Sequence, residues 1–204
     1  SLPETPPPRS ELGLPDQAFV YACFNRTDKW SPDLFTCWLE ILQAVPNAVL
    51  WLADFGSEIS QTLRHKAQSA GVDPDRLIFL AKRSQVEFIS VCRQADLFLD
   101  TFLYNGGATS VCAVQAGVPL LTCPGETFAS RMGLSICHAA ALESFVCESL
   151  ASYQEQAIYW GTHLEELHQF TEQWHQQREQ LPLFQPAIWV KALETQLMTL
   201  WQTK

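Results

Sequence analysis

The stretch ADLFLDTFLYNGGATSVCAVQAGVPLLT, residues 95–122, indicates the fold of this chain. It contains two short apolar runs, residues 96–99 and 118–122, and between them a glycine-bearing loop and a segment that we interpret as a helix ending at Ala116. Two strands joined through a helix usually run parallel, with a right-handed crossover. The stretch therefore predicts one strand-helix-strand unit of a parallel sheet.

The same unit recurs toward the N-terminus. Apolar runs predict strands over residues 18–24, 48–52 and 76–80, and each is followed by a segment with helical periodicity. We expect these helices to run from Ser31 to about Ala44, from Ser57 to near Gly71, and from about Ser84 to Gln94, with Ser31 as N-cap. A further helix carrying Arg131 follows the fifth strand. This order predicts an α/β protein with a Rossmann-like, doubly wound parallel sheet.

Composition divides the chain into three parts. Five of the twelve prolines lie in residues 1–15, which predicts an extended linker or arm, and we expect the nucleotide-binding sheet domain to cover residues 16–147. Residues 148–204 read as a helical segment that packs on this domain. The tail carries four tryptophans, which we interpret chiefly as core anchors, with an exposed partner surface as the alternative: Trp160, Trp174, Trp189 and Trp201.

Charge and hydropathy exclude several classes of protein. The chain has 204 residues, 13 Lys and Arg against 22 Asp and Glu, and a net charge of −9, which disfavours binding to nucleic acid or to an acidic membrane surface. No apolar run approaches the roughly 20 residues of a membrane-spanning helix. The seven cysteines form no C-x-x-C pair, so we expect buried thiols in a reducing compartment and no metal site. His163, His168 and His175 are expected on a solvated helix surface.

The loops at the carboxyl ends of the predicted strands are the expected ligand site. Four of the thirteen basic residues lie in these loops, namely Arg26, Lys29, Lys82 and Arg83. A fifth, Arg131, lies in the helix that follows the fifth strand. The turn NGGATS, residues 105–110, allows a close backbone approach and offers free N–H groups at a helix start, which suit a phosphate. Alternatively, its glycines only make a tight turn. The chain has neither the G-x-G-x-x-G pattern nor a Walker loop, and no Ser-His-Asp set is evident.

A series of motifs, in order along the chain, resembles the O-linked N-acetylglucosamine transferase family, including its SPINDLY-like and bacterial members. The motifs are FVYACFN (19–25) with Lys29 and Pro32, VPNAVLWL (45–52), DRLIF (75–79), ADLFLDT (95–101), NG (105–106), AGVP (116–119), PGETFASR (124–131), YWGTHLEEL (159–167) and PLF (182–184).

The resemblance implies the C-terminal, donor-binding lobe of an inverting, metal-independent GT-B glycosyltransferase. Such an enzyme transfers N-acetylglucosamine from UDP-GlcNAc to Ser or Thr of acceptor proteins and takes a UDP-sugar as substrate, with no further cofactor. The implied partners are an N-terminal catalytic lobe and tetratricopeptide repeats of a longer chain, and the implied location is the cytoplasm. With only the donor half present, we expect poor activity from this chain alone.

The resemblance also assigns roles to individual residues. It gives Lys29 the catalytic role of binding the donor diphosphate and stabilising the departing UDP, with Arg26 near the same phosphates. Arg83 falls at the position whose backbone grips the uracil. Phe88 stands where the family usually has a histidine against the uridine. Gln85 and Cys112 stand where a lysine and an aspartate commonly hold the ribose. The phosphate-cradling turn supplies the remaining donor-binding residues, Gly106, Gly107, Ala108, Thr109 and Ser110.

Two other functions compete with this interpretation. The departures at Gln85 and Cys112 favour a non-catalytic scaffold that kept the fold while its ribose site decayed. A different nucleotide-sugar enzyme, such as an epimerase, would need a pair of carboxylates facing the sugar, for which Asp28 and Glu126 are poor candidates.

Overall fold

The computed structural model describes residues 5–202, in which five parallel strands form one sheet in the order β3-β2-β1-β4-β5. The strands are β1 (Phe19–Cys23), β2 (Ala48–Ala53), β3 (Leu77–Leu80), β4 (Leu97–Leu99) and β5 (Leu120–Leu121). The helices are α1 (Pro32–Ala44), α2 (Ser57–Ser69), α3 (Gln85–Cys92), α4 (Ala108–Ala116), α5 (Met132–Ala139), α6 (Leu150–Thr162), α7 (Leu164–Gln177) and α8 (Pro186–Gln202). The predicted α/β class and parallel sheet are confirmed.

The chain reverses its direction across the sheet after β3. From β1 it proceeds to β2 and β3 on one side, and it then returns to place β4 and β5 on the other side of β1. With right-handed crossovers, this order places α1 and α2 on one face and α3 and α4 on the opposite face. The carboxyl ends of β1 and β4, which pair directly, therefore mark the switch point where doubly wound folds bind their ligands.

Local sequence signals position the helices beside this edge. The Ser31 hydroxyl accepts a hydrogen bond from the Leu34 N–H at 3.2 Å, and Pro32 follows as the first residue of α1. Ser84 and Glu87 form a reciprocal capping box at the start of α3. Hydrogen bonds from Ser84 lower the pKa of Glu87. Both predicted helix starts are therefore confirmed.

The N-terminal segment packs against the sheet domain. Its first four residues lie outside the described part of the chain, but Leu14 is buried and the Arg9 guanidinium donates to the Ala18 and Gln94 carbonyls. Arg9 also pairs with the carboxylate of Asp96 at 2.9 Å. The sequence predicted an extended arm here. Residues 5–15 instead lie along the domain, because Arg9 satisfies polar groups at the amino edge of the sheet.

The C-terminal helices contain both buried and exposed tryptophans. Trp174 is buried and donates to the Ala140 carbonyl at 2.7 Å, and half-buried Trp160 stacks on Phe145. Trp189 and Trp201 are 61% and 74% exposed, so the interpretation as core anchors is wrong for these two. Both lie on α8, a helix with no buried residue. Residues 203–204 of the predicted helical tail lie outside the described part.

Two further expectations about side chains are confirmed. All seven cysteines are free, six are buried and Cys123 is half-buried, as predicted for buried thiols. His163, His168 and His175 are exposed, as expected for a solvated helix surface. The imidazole of His175 also makes a 2.9 Å hydrogen bond with the Gly117 carbonyl, because α7 packs beside the end of α4.

Candidate functional site

A cleft of about 640 Å³ opens at the carboxyl edge of β1, β2 and β3. Four of the predicted donor-binding residues line it, namely Arg26, Arg83, Phe88 and Thr109. They come from the loops after β1 and β3 and from the starts of α3 and α4, so the parallel strand order brings them together. A cleft of this volume is in the usual range for small-molecule sites.

Phe88, an aromatic residue of the cleft lining, is supported by the buried rings of two other residues. Phe88 packs edge-on against Phe24, with 5.2 Å between the ring centroids and an interplanar angle of 78°. Phe24 in turn packs edge-on against Trp51, which is fully buried in β2. These contacts fix a flat apolar surface on which a planar base can stack.

The charged rim of the cleft carries both signs. Arg26, Lys82 and Arg83 contribute three positive charges, and the carboxylates of Asp28 and Asp54 oppose two of them. Arg26 pairs with Asp28 at 3.1 Å, although both side chains are mostly exposed. Three of the four expected loop cations therefore meet at the cleft, where the two carboxylates largely balance them, and Lys29 and Arg131 do not line it. An exposed pair such as Arg26 and Asp28 contributes little to stability.

Lys29 lies outside the cleft lining and contacts the turn between β4 and α4. Its ammonium donates a 3.0 Å hydrogen bond to the Asn105 carbonyl and sits 3.7 Å from the centroid of the Tyr104 ring. Because β1 pairs with β4, the loop after β1 lies beside this turn. The structure thus places the predicted catalytic lysine next to the predicted phosphate turn.

Asn105 fixes the turn to its surroundings. It is completely buried, its backbone N–H donates to Ala129 O at 2.9 Å, and its side-chain oxygen accepts from the Gly133 N–H at 3.0 Å. Its amide also donates to the Thr101 carbonyl. These bonds connect the β4–α4 loop to the segment that begins α5, which makes the turn a rigid part of the edge.

The N–H groups at the start of α4 are suited to an anion. The helix begins at Ala108, and Gly107 precedes it without a side-chain cap, so the N–H groups of the first turn have no intrahelical acceptor. Gly106 is buried and Gly107 half-buried, whereas Ala108 is exposed. The helix dipole adds to the attraction of these donors for negative charge.

Asp100 is a buried carboxylate beneath this turn, and the sequence analysis did not assign it a role. Its Oδ1 accepts from the N–H groups of Gly106 and Thr101 at 2.7 and 2.9 Å, and its Oδ2 accepts from the Thr122 hydroxyl at 2.9 Å. Burial raises the pKa of Asp100 to about 6, and these hydrogen bonds oppose the rise. A polar residue directly after a buried strand was the signal available in the sequence.

Seven of the eleven predicted donor-binding residues lie outside the cleft lining, namely Lys29, Gln85, Gly106, Gly107, Ala108, Ser110 and Cys112. Gln85 is the exposed first residue of α3, and Cys112 is buried in α4. Burial raises the pKa of the Cys112 thiol, and the Gln85 side chain lowers it in part. Ser110 is fully buried, and its Oγ has no hydrogen-bond partner among residues 5–202.

The loop after β2 also reaches the cleft, and its residues are not among those predicted from the sequence. Asp54 and Phe55 come from this loop, and Ile59 comes from the first turn of α2. The signal was available, since loops at the carboxyl ends of neighbouring parallel strands share one edge.

The described residues contain neither a metal-ligand cluster nor a helix suited to a membrane. Residues 5–202 contain no group of three or more His, Cys, Asp or Glu side chains arranged to hold a metal ion. Within the same range, no helix combines the length and the apolar character that crossing a membrane requires.

The strand order and the cleft at the switch point are those of a Rossmann-like lobe, and the chain has the fold of the GT-B glycosyltransferases. The chain belongs to glycosyl transferase family 41, whose profile matches residues 6–193. The resemblance noted in the sequence is therefore confirmed.

Individual relatives agree with this membership. A probable UDP-N-acetylglucosamine-peptide N-acetylglucosaminyltransferase of Arabidopsis thaliana is 36% identical over 200 residues, which cover 98% of this chain and 20% of that protein. The corresponding Caenorhabditis elegans transferase is 32% identical over 78% of this chain and 14% of its own length. A mutant O-GlcNAc transferase of Thermobaculum terrenum superposes with a TM-score of 0.79 at 26% identity, over 98% of this chain and 39% of that one. The chain thus spans about a fifth of the plant relative.

Proposed function

We propose that this chain is the donor-binding lobe of a protein O-glycosyltransferase that transfers N-acetylglucosamine from UDP-GlcNAc to Ser or Thr hydroxyls. The observation that carries the proposal is the position of the Lys29 ammonium, which is held at the Asn105 carbonyl beside the uncapped start of α4. A cation and a set of free N–H groups at one point are suited to a diphosphate. The family membership and the names of the relatives support the same donor.

The cleft beside this point accommodates the rest of the nucleotide. Phe88 provides a surface for the uracil, and Arg83 and Thr109 line the same cleft. Lys29, Gly107 and Ala108 then face the diphosphate, with Arg26 at the rim. In this arrangement the base and the phosphates occupy neighbouring parts of one edge of the sheet.

Transfer requires stabilisation of the leaving group. The acceptor hydroxyl attacks the anomeric carbon from the face opposite UDP, and the electron pair of the breaking bond passes to the β-phosphate oxygen. The Lys29 ammonium stabilises the charge that develops there, so it contributes to the rate as well as to binding. We assign the group that accepts the hydroxyl proton to the N-terminal lobe of a longer chain.

The remaining parts of the proposal concern the whole protein. The short span of this chain relative to its relatives supports an N-terminal lobe and helical repeats as partners, with acceptor proteins as the second substrate. We further propose a cytoplasmic location and catalysis without a metal, with Lys29 providing the charge that a divalent cation would otherwise supply.

A non-catalytic scaffold is the second candidate, and the positions of two residues favour it. Gln85 and Cys112, which replace the residues expected at the ribose, both lie outside the cleft lining, and Cys112 is buried. Transfer assays on the full-length parent protein distinguish the two functions, since a scaffold would bind partners without releasing UDP.

Isothermal titration with UDP tests the donor site directly. We expect wild-type binding that weakens at least about tenfold in Lys29→Ala, equivalent to about 1.4 kcal/mol, because the phosphates lose their cation. Lys191→Ala, which removes an exposed lysine of α8, serves as the matched control and should bind as wild type does. Addition of EDTA should leave the titration unchanged. Absence of binding at millimolar UDP, or equal binding by Lys29→Ala, would refute the site.

A further inference from the structure

The aromatic ring of Tyr104 covers the ammonium of Lys29. The Nζ atom lies 3.7 Å from the ring centroid, well within the range of a cation–π interaction. Tyr104 belongs to the loop between β4 and α4 and is 52% exposed. The sequence predicted a role for the glycines of this loop and none for Tyr104.

Two consecutive residues hold the ammonium from different directions. The Tyr104 ring covers one side, and the carbonyl of Asn105 accepts one of its three protons at 3.0 Å. Asn105 is itself fixed by its bonds to Ala129 and Gly133. The position of the Lys29 charge is therefore defined relative to the start of α4, although lysine is intrinsically a flexible side chain.

The ring also excludes water from part of the ammonium. A charge that is partly shielded from solvent acts more strongly on a nearby anion than a fully hydrated one. No hydrogen bond of the Tyr104 hydroxyl is needed for this effect, because the interaction uses the face of the ring. A substitution that removes the hydroxyl but keeps the ring therefore distinguishes the contributions of the two groups.

We propose that Tyr104 is a positioning residue for Lys29, whose ring orients and shields the ammonium for the diphosphate of the donor. The proposal rests on the proposed function, since it assigns to Lys29 the role of binding phosphate. A competing arrangement is that the ring blocks the ammonium and a ligand must displace it. The two arrangements predict opposite changes in affinity.

UDP titrations of Tyr104→Phe and Tyr104→Leu provide the test. Phenylalanine keeps the ring and should bind UDP within about twofold of wild type. Leucine keeps apolar bulk without the ring and should weaken binding about three- to tenfold, within the usual range of a cation–π interaction. Uridine, which lacks phosphates, should bind all three proteins equally. Tighter or unchanged UDP binding by Tyr104→Leu overturns the proposal, and so does equal loss in both variants.

A double-mutant cycle shows whether the effect passes through the lysine. In a Lys29→Ala background, Tyr104→Leu should cause no further loss of UDP affinity, because the ring no longer has a cation to position. A loss that persists in this background overturns the proposal. Thermal melts of each variant verify that substitution of the half-exposed Tyr104 leaves the fold intact.

An NMR signature tests the contact independently of ligand binding. The ε-methylene protons of Lys29 should be shifted upfield by the ring in wild type and in Tyr104→Phe, and the shift should be absent in Tyr104→Leu. An absent shift in wild type refutes the positioning. If the shift is present but UDP does not bind, the donor function fails together with the role of Tyr104 in it. If UDP binds and Tyr104→Leu is neutral, only the positioning role fails.

Discussion

The backbone N–H of Gly106 donates a 2.7 Å hydrogen bond to Oδ1 of Asp100, six residues earlier. Asp100 is fully buried, and the Tyr153 hydroxyl of α6 donates to its backbone carbonyl at 3.1 Å. The same aspartate therefore connects the candidate phosphate turn to the core and to the C-terminal helices. This connection explains why a flexible, glycine-bearing turn has a defined shape.

Asp100 should make stability depend on pH. Its pKa is about 6 in the folded chain, against an ordinary value of 3.8, because burial disfavours the carboxylate. Between pH 4 and 6 the folded state retains a proton that the unfolded state has lost. The free energy of unfolding should therefore fall as pH rises through this range, by up to about 3 kcal/mol from this group.

Denaturant unfolding of Asp100→Asn and wild type at pH 4 and pH 6.5 checks this expectation. The amide does not titrate, so the stability of the variant relative to wild type should increase between the two pH values. Other carboxylates titrate equally in both proteins and cancel in the difference. A constant difference at both pH values would contradict a raised pKa at this position.

Gly106→Ala should destabilise the chain. A Cβ atom at this position would collide with Oγ of Ser110 and would lie 2.7 Å from Oδ1 of Asn25. Both neighbours are buried and cannot move freely, so we expect a loss of about 1–3 kcal/mol in the free energy of unfolding. Thermal or denaturant unfolding measures it.

Gly107→Ala is the matched control for that loss. Its added Cβ would have no atom within 4 Å, so we expect stability within about 1 kcal/mol of wild type. Equal destabilisation by the two substitutions would mean that backbone freedom, rather than the close contact at Gly106, determines the turn.

Trp174→Ala should cost about 3–5 kcal/mol of unfolding free energy, since it removes a large buried side chain. Trp174→Phe should cost less, because it mainly leaves the Ala140 carbonyl without its donor. Trp201→Ala on exposed α8 should change stability by less than about 0.5 kcal/mol. A large loss on substituting Trp201 would show that α8 is buried in solution.

Arg9→Ala should destabilise the fold by about 2–4 kcal/mol, because it leaves the largely buried Asp96 carboxylate without its cation. Arg26→Ala breaks a much more exposed pair with Asp28 and should cost less than about 1 kcal/mol. Adding Asp96→Asn to Arg9→Ala should recover part of the loss. Similar losses for both arginine variants, measured by denaturant unfolding, would refute a structural role for the N-terminal segment.

Much of the sheet domain could be predicted because its signals are local. Apolar runs, a proline after Ser31 and the Ser84–Glu87 pair act within one turn or one strand. The prediction of the fifth strand was the least accurate, since it covered residues 118–122 and the observed strand is Leu120–Leu121. Pro119 cannot donate to a neighbouring strand, and Thr122 pairs instead with Val146 in an isolated bridge.

The sequence alone determined the order of strands and helices along the chain and most of the loops at the ligand edge, because these depend on periodicity and on capping residues close together in the chain. Only the tertiary structure decided which side chains meet. Lys29 reaches Asn105, 76 residues away, because β1 lies beside β4. The burial of Trp174, the exposure of Trp201 and the position of Gln85 and Cys112 outside the cleft lining likewise depend on how helices pack across the sheet, which no local pattern specifies.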